Sequence, residues 1–183
     1  MAAQSIGKKP DGRLAIDAVD TRAPKTATIE SPAFSNGAEI PDTYSYYGEG
    51  CSPELRWSGV PSGTRSFALV VEDADAPQET PFTHWLLYNL PPNVRHLPAS
   101  IPDKSIVSQL GALQGRSSAG SIGYFGPHPP ERDPAHRYHF ELFCLDAPLD
   151  VGPGADRNQL LSAMAGHVLA KGDLTGLYEA PPR

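Results

Sequence analysis

The sequence SFALVVED, from Ser66 to Asp73, is the stretch that most constrains the fold. Successive side chains of a β-strand point to opposite faces, and here both faces are apolar in the middle of the stretch. A strand with two apolar faces is covered on both sides. The stretch therefore predicts a central strand in a layered core, with its polar last residue, Asp73, at the rim of the sheet.

The rest of the chain supports an all-antiparallel arrangement around this strand. Further strands are predicted at FTHWLLYN (82–89), HRYHFELFCL (136–145), 55–57 and 174–178. The 20 Pro and 17 Gly residues suit short strands joined by tight turns and exclude a protein of long helices. One helix is predicted at 156–171, because Asp156 and Gln159 form a capping-box pattern before an apolar stripe. The sequence thus predicts a mainly β protein, an antiparallel β-sandwich with one or two peripheral helices.

The N-terminal part of the chain has a different composition. Residues 1–26 are polar, and we expect a partly ordered extension, followed by a single domain at 27–183. Within the extension, Leu14, Ile16 and Ala18 alternate with polar residues and predict a short edge strand. The chain shows no run of signal-peptide length and no lipidation motif, so the cytoplasm is the expected location.

Charge and motifs exclude several function classes. The 15 basic and 21 acidic residues give a net charge of −6, which argues against a nucleic-acid partner, since such binding needs a basic surface. No apolar stretch is long enough for stable membrane insertion. The motifs CxxC, GxxxxGK[ST], GxGxxG, HExxH and GxSxG are all missing. We therefore expect no thiolate zinc site and no nucleotide or dinucleotide cofactor.

Polar residues cluster at the ends of the predicted strands. Asp73 closes the first strand, His84 lies near the start of the second, His136 opens the third, and His128 lies in the proline-rich loop before it. A carboxylate raises the pKa of a neighbouring imidazole and fixes its tautomer, and the charged ring can then donate to an anion. These residues indicate a small anion pocket at the rim, to which Gly126 and nearby backbone N–H groups could add donors.

Other interpretations of the same residues stay open. Asp73, His84, His128 and His136 could perform general acid–base chemistry, as in an isomerase, epimerase or hydrolase of a small metabolite. Two histidines and one carboxylate could also hold iron or zinc. On a strand with apolar neighbours, His84 is more often a satisfied core histidine, and His128 could point into solvent.

Six segments of the chain follow one another in a distinctive order. They are SPAFSNGAEIP (31–41), GEGCSPELRWSGVPSGTRSFAL (48–69), EDADAP (72–77), HW (84–85), GYFGPHPP (123–130) and HRYHF (136–140). A chain with these segments resembles the phosphatidylethanolamine-binding protein family, and most closely its bacterial branch described as similar to Raf kinase inhibitor protein. The resemblance implies a Greek-key β-sandwich with a rim pocket for phosphate-like groups and phosphorylated headgroups. It implies no metal or other cofactor, and bacterial members are often dimeric.

The resemblance also assigns the pocket residues. They comprise an acid, two histidines, a tyrosine and a wall of glycine and proline: Asp73, His84, His136, Tyr138, Gly126, Pro129 and Pro130. The chain departs from the family pattern at Ala74, where proline is usual, and at His128, where a small or thiol residue is usual, so His128 joins the predicted pocket. We expect a binding protein for a small anionic or phosphorylated ligand, with a regulatory, kinase-inhibitor-like role, a protein partner and a homodimer left open.

Overall fold

Two antiparallel sheets account for most of the regular structure in the computed structural model, which describes residues 12–182. Their strands are β1 (Thr28–Glu30), β2 (Leu55–Ser58), β3 (Ser66–Asp73), β4 (Phe82–Leu90), β5 (His96–Leu97), β6 (Ile106–Val107), β7 (Ala112–Gln114), β8 (His136–Leu145) and β9 (Val168–Tyr178). One sheet has the order β1-β2-β5 and the other the order β6-β7-β4-β3-β8-β9. The helices are α1 (Ala15–Ala18) and α2 (Arg157–Met164), with a 3-10 turn at Asp42–Tyr44. The predicted mainly β antiparallel fold is confirmed.

Strand β3 is central and buried along its whole length, as its two apolar faces predicted. Its odd-numbered side chains, such as Leu69 and Val71, lie in the core between the two sheets with Trp57 of β2. Its even-numbered side chains, such as Val70, pack in a second core with Ile16 of α1 and with α2. Burial of both faces holds the end of β3 at a fixed position on the rim of the sandwich.

The predicted helix at 156–171 is shorter than expected. The capping box is present, since the Asp156 carboxylate accepts the Gln159 N–H at 2.8 Å and the Gln159 side chain accepts the Asp156 N–H at 2.9 Å. The helix ends at Met164, and Gly166 turns the chain with a φ of 85°. The residues that follow join β9, because β8 offers them a long row of backbone partners. Sheet pairing therefore overrides the helical pattern in this segment.

The edge strand predicted within the N-terminal extension is wrong, because α1 occupies that place. The Ala15 N–H donates to the carboxylate of Glu72 at 2.8 Å, and the Ile16 N–H donates to that of Glu141 at 2.7 Å. From β9, the Nζ of Lys171 donates to the Ile16 carbonyl oxygen at 2.6 Å. This segment is thus attached to the sheet by side chains that are themselves buried.

Glu72 and Glu141 form a pair of fully buried carboxyl groups under α1. Arg157 of α2 makes an ion pair with Glu72, whereas the Oε1 of Glu141 has no hydrogen-bond donor among the described residues. Burial, and then the neighbouring Glu72 carboxylate, raise the pKa of Glu141 well above its usual range. The raised pKa favours the protonated form of Glu141, in which its carboxyl group can donate a proton to Glu72.

Candidate functional site

Asp73 and His136 meet where β3 ends and β8 begins. The antiparallel register places Asp73 opposite Tyr138, and His136 shares the face of Tyr138 because it lies two residues away. The Oδ2 of Asp73 lies 2.7 Å from the Nδ1 of His136. The Oδ1 of Asp73 accepts the backbone N–H groups of Asp75 and Ala76 at 2.8 and 3.1 Å. The turn after β3 therefore fixes this carboxylate, and the carboxylate orients the imidazole.

His84 reaches the same place through a β-bulge. The register between β3 and β4 shifts by one residue at this point, and His84 is left without a partner across the ladder. Strict alternation along β4 would place His84 on the face of Leu86, which packs in the core under the helices. Instead, the His84 ring lies 5.2 Å from the Tyr138 ring in an edge-on arrangement. The bulge thus adds a second imidazole to the pair formed by Asp73 and His136.

The surroundings shift the pKa values of the two imidazoles in opposite directions. The Nδ1 of His84 donates to the carbonyl oxygen of Phe125 at 2.7 Å, since a carbonyl can only accept. Burial lowers the pKa of His84 to about 4, so its Nε2 carries a lone pair. Burial also acts to lower the pKa of His136, but the hydrogen bonds with Asp73 and Asp133 outweigh it and raise that pKa. The site therefore favours the charged, donating form of His136 and offers a neutral acceptor at His84.

Tyr138 contributes an unpaired hydroxyl group. The residue is fully buried, and its hydroxyl has no hydrogen-bond partner among the described residues. Burial, and then the nearby Asp73 carboxylate, raise the pKa of Tyr138, so the hydroxyl stays protonated and remains a donor. A buried polar group without a partner is unfavourable, which indicates a position that a ligand atom can satisfy.

The predicted Gly/Pro wall is packed against the turn that follows the 3-10 helix. A Cβ on Gly126 would lie 2.7 Å from the carbonyl oxygen of Tyr44, so a close backbone approach requires glycine here. The Tyr47 hydroxyl donates to the carbonyl oxygen of Pro129 at 2.8 Å, and Pro129 is buried. Pro130 is exposed, so it does not line the cluster in the way that we expected.

His128 lies at the mouth of the site and faces outward. Its ring stacks on the exposed Tyr46 with a centroid separation of 3.9 Å, and it lies 6.1 Å from the Phe125 ring. It is near enough to His84 for its charge to influence the pKa of that residue. Of the predicted pocket residues, the structure brings Asp73, His84, His136 and Tyr138 together and leaves His128 in solvent.

Asp133 is a site residue that the sequence analysis missed. Its Oδ2 lies 3.3 Å from the Nε2 of His136, on the side of the ring opposite Asp73. The preceding residue, Arg132, has a φ of 72°, in the left-handed region that non-glycine residues seldom adopt. The sequence signal that could have indicated this contact is the acidic residue three positions before His136, the histidine that opens β8.

A second ion pair stiffens the turn beside the site. The Arg137 guanidinium donates to Asp75 at 2.7 and 3.0 Å, and the Arg137 N–H donates to the same carboxylate at 2.9 Å. The hydrogen bonds from Arg137 lower the pKa of Asp75 to about 2. Arg137 is thereby directed away from His136, which leaves the imidazole as the cationic group of the site.

The cluster is nearly closed to solvent. Asp73 and His84 are each 3% exposed and His136 is 4% exposed. Three surface grooves, with volumes of about 440, 760 and 1030 Å³, have other linings and include none of these residues. Among residues 12–182, no group of three or more His, Cys, Asp or Glu side chains is arranged to hold a metal ion. No helix in that range is both long and apolar enough to cross a bilayer.

Comparison with known proteins gives one consistent family. A profile described as "Phosphatidylethanolamine-binding protein" matches residues 30–179. A UPF0098 protein of Methanothermobacter thermautotrophicus is 42% identical over 150 residues, which cover 82% of this chain and 97% of that protein. A UPF0098 protein of Chlamydia muridarum is 43% identical over 155 residues, which cover 82% of this chain and 97% of that protein.

Two solved structures agree with the sequence matches. The crystal structure of a phosphatidylethanolamine-binding protein homologue from Chlamydia trachomatis has a TM-score of 0.76 at 40% identity, covering 86% of this chain and 99% of that chain. The crystal structure of E. coli YbcL, described as a new member of the mammalian family, has a TM-score of 0.79 at 30% identity, covering 85% of this chain and 99% of that chain.

Proposed function

Because this chain belongs to the phosphatidylethanolamine-binding protein family, we propose that it binds a small molecule with a phosphate or carboxylate group at the cluster of Asp73, His136 and Tyr138. The observation that carries this proposal is the buried Tyr138 hydroxyl, which has no partner beside a charged imidazole. A bound anionic oxygen would accept from both groups. The same oxygen would compensate the charge of the imidazolium.

The neutral ring of His84 adds a requirement for the ligand. Since its Nδ1 is engaged by a carbonyl oxygen, its Nε2 can only accept. A guest that fits all three groups therefore has anionic oxygens for His136 and Tyr138 and one hydroxyl or N–H group for His84. A phosphate that keeps one proton and a phosphate ester with a nearby ammonium both meet this description.

Entry to the site requires a movement at its mouth, because the residues that would touch the ligand are almost completely buried. The exposed stack of Tyr46 on His128 lies at this boundary. Phe125, which contacts both His128 and His84, connects the stack to the inner cluster. Rotation of exposed rings occurs on fast timescales and is compatible with ligand entry.

Calorimetric titration with phosphoethanolamine and with inorganic phosphate tests the proposal. His136→Gln should weaken binding about 10- to 100-fold, because a hydrogen bond to a charged group is lost. The matched control is His167→Gln, since the Nδ1 of His167 also pairs with an aspartate, Asp146, at 2.8 Å but lies on the surface. No saturable heat with the folded wild-type protein at pH 6 or pH 8 would remove the proposal.

The pH dependence provides an independent arm of the test. Anion binding should be strongest while His136 is charged and should weaken as the pH rises through its raised pKa. A phosphodiester that carries a hydroxyl group is a suitable probe, because its single negative charge does not change over this range. Binding that is independent of pH between 5 and 9 would contradict the assignment to His136.

Acid–base catalysis is a second candidate, favoured by the opposite pKa shifts of His84 and His136 in one cluster. An enzyme would lose turnover in Asp73→Asn while keeping most of its ligand affinity, whereas a binding protein would lose affinity. Proton NMR of metabolite mixtures incubated with the protein would detect conversion of any component.

The cytoplasmic location, the regulatory partner and the homodimer stay predictions from the sequence. A sedimentation experiment on the purified protein tests the homodimer directly, because it reports the mass of the assembly in solution.

A further inference from the structure

Both ring nitrogens of His136 are already engaged by carboxylates. The Nδ1 lies 2.7 Å from Asp73, and the Nε2 lies 3.3 Å from Asp133. An imidazolium has only two N–H groups, so it has no third donor for a ligand. Any anion that binds through His136 must therefore take the place of one of these two carboxylates.

Asp133 is the one that can be displaced. Its side chain is 43% exposed, whereas that of Asp73 is 4% exposed. Two backbone N–H groups hold the Asp73 carboxylate, while the only other contact of Asp133 that the structure shows is a backbone hydrogen bond to Pro130 at 3.2 Å. The left-handed conformation of Arg132 places mild strain on the same loop. The contact of Asp133 with His136 is thus long, half-exposed and supported by a strained backbone.

We propose that Asp133 is an internal competitor of the ligand, a carboxylate that occupies the Nε2 of His136 until an anion replaces it. The proposal rests on the anion-binding function proposed above and adds its regulation. In the empty state Asp133 neutralises the buried imidazolium. On binding, the ligand oxygen takes over the N–H of His136 and the loop carries Asp133 toward solvent. Asp133 thereby sets the affinity that a ligand must exceed.

The charge environment of His136 determines how the exchange is tested. The acidic groups that act on it are Asp73 at the end of β3, Asp75 in the turn after β3 and Asp133 in the loop before β8. The Tyr138 ring lies 6.5 Å from the His136 ring and is itself next to the neutral ring of His84. Removing Asp133 leaves the hydrogen bond with Asp73 in place, so His136 keeps a charge-stabilising partner. At pH 6, which lies below the ordinary histidine pKa of 6.5, the hydrogen bond with Asp73 favours the charged ring in a variant that lacks Asp133, and the loss of the competitor can be measured.

The test is calorimetric titration of Asp133→Asn with inorganic phosphate at pH 6. The variant should bind about three- to tenfold more tightly than the wild type, because a half-exposed ion pair no longer has to be broken. Glu79→Gln is the control, since it removes one exposed carboxylate from the neighbouring loop, and it should change the affinity by less than about twofold. Asp133→Ala serves as a second variant, because it removes the carboxylate without leaving an amide that can still accept.

The outcomes separate this proposal from the proposed function. Equal or weaker phosphate binding by both Asp133 variants, with saturable binding by the wild type, would overturn the role of Asp133 and leave anion binding intact. Saturable binding by the wild type that becomes tighter in both Asp133 variants would support both. If neither wild type nor variants bind phosphate, the proposed function fails and the role of Asp133 fails with it. Carbon NMR of the Asp133 carboxyl group adds a direct readout, because phosphate should shift its resonance toward that of a solvent-exposed aspartate.

Discussion

Replacing Glu141 with glutamine tests whether the buried carboxyl pair under α1 holds a proton in the folded protein. Glutamine has nearly the shape of a protonated glutamate. Its oxygen can accept the Ile16 N–H, which donates to Glu141 at 2.7 Å, and its amide can donate to the carboxylate of Glu72. The variant therefore keeps the local hydrogen bonds and removes only the ability to ionise.

The size of the effect follows from proton linkage. Burial and Glu72 raise the pKa of Glu141 in the folded protein above the ordinary value of 4.5, so the folded protein binds this proton more tightly than the unfolded chain. The stability from this group is fully present below the unfolded pKa. As the pH rises toward the folded pKa, that stability decreases by about 1.4 kcal/mol per pH unit. A difference of 1 kcal/mol corresponds to a change of about 2–4 °C in Tm for a chain of this size.

Urea unfolding between pH 4.5 and pH 8.5, followed by the fluorescence of the buried Trp57 and Trp85, measures this difference. Glu141→Gln should match the wild type within about 0.5 kcal/mol at the acidic end and become the more stable protein as the pH rises. Glu141→Ala should be less stable than Glu141→Gln by about 1–3 kcal/mol at every pH, because the Ile16 N–H loses its acceptor. Parallel curves for wild type and Glu141→Gln over the whole range would refute the protonated pair.

Three further substitutions test the site and its supports. Tyr138→Phe should raise the free energy of unfolding by about 1 kcal/mol, because it removes a buried hydroxyl without a partner, and it should weaken phosphate binding. Urea unfolding measures the first effect and calorimetry the second. A loss of stability would contradict the unpaired state of the hydroxyl. Gly126→Ala should lower the free energy of unfolding by about 1–3 kcal/mol, since its Cβ would lie 2.7 Å from the Tyr44 carbonyl oxygen. An unchanged Tm would show that the backbone can move apart to accommodate the methyl group. Asp75→Asn should cost less than about 1 kcal/mol at pH 7, because its partner Arg137 is largely exposed. With the pKa of Asp75 lowered to about 2, its contribution is present above pH 3.8 and lost as the pH falls through about 2, so acid titration of stability should show the two proteins converging there.

The features that the sequence could predict depend on local pattern. The two apolar faces of Ser66–Asp73 indicated a central strand, and the strand is buried along its whole length. The spacing of Asp156 and Gln159 indicated the capping box. His136 and Tyr138 were expected on one face from their separation by two residues, and they share it. In each case the deciding interaction lies within a few positions of the residue itself.

The features that escaped prediction depend on what lies across the fold. A β-bulge is a property of two paired strands, so the alternation of β4 alone could not place His84 beside Tyr138. No local pattern could predict the burial of Glu72, because the segment that covers it comes from the N-terminal part of the chain. Asp133 lies in a loop whose conformation no periodic pattern describes, and its contact with His136 is visible only in the folded structure.

The attachment of α1 has a consequence for dissecting this chain. A fragment trimmed to the family match, residues 30–179, would retain every strand of the six-stranded sheet. It would nevertheless lack the backbone groups of α1 that hydrogen-bond to the side chains of Glu72, Glu141 and Lys171. These three ionisable side chains would then be exposed to solvent beside the second core. The smallest piece that folds by itself should therefore reach further toward the N-terminus than similarity to relatives would recommend, and expression trials should begin upstream of Ala15.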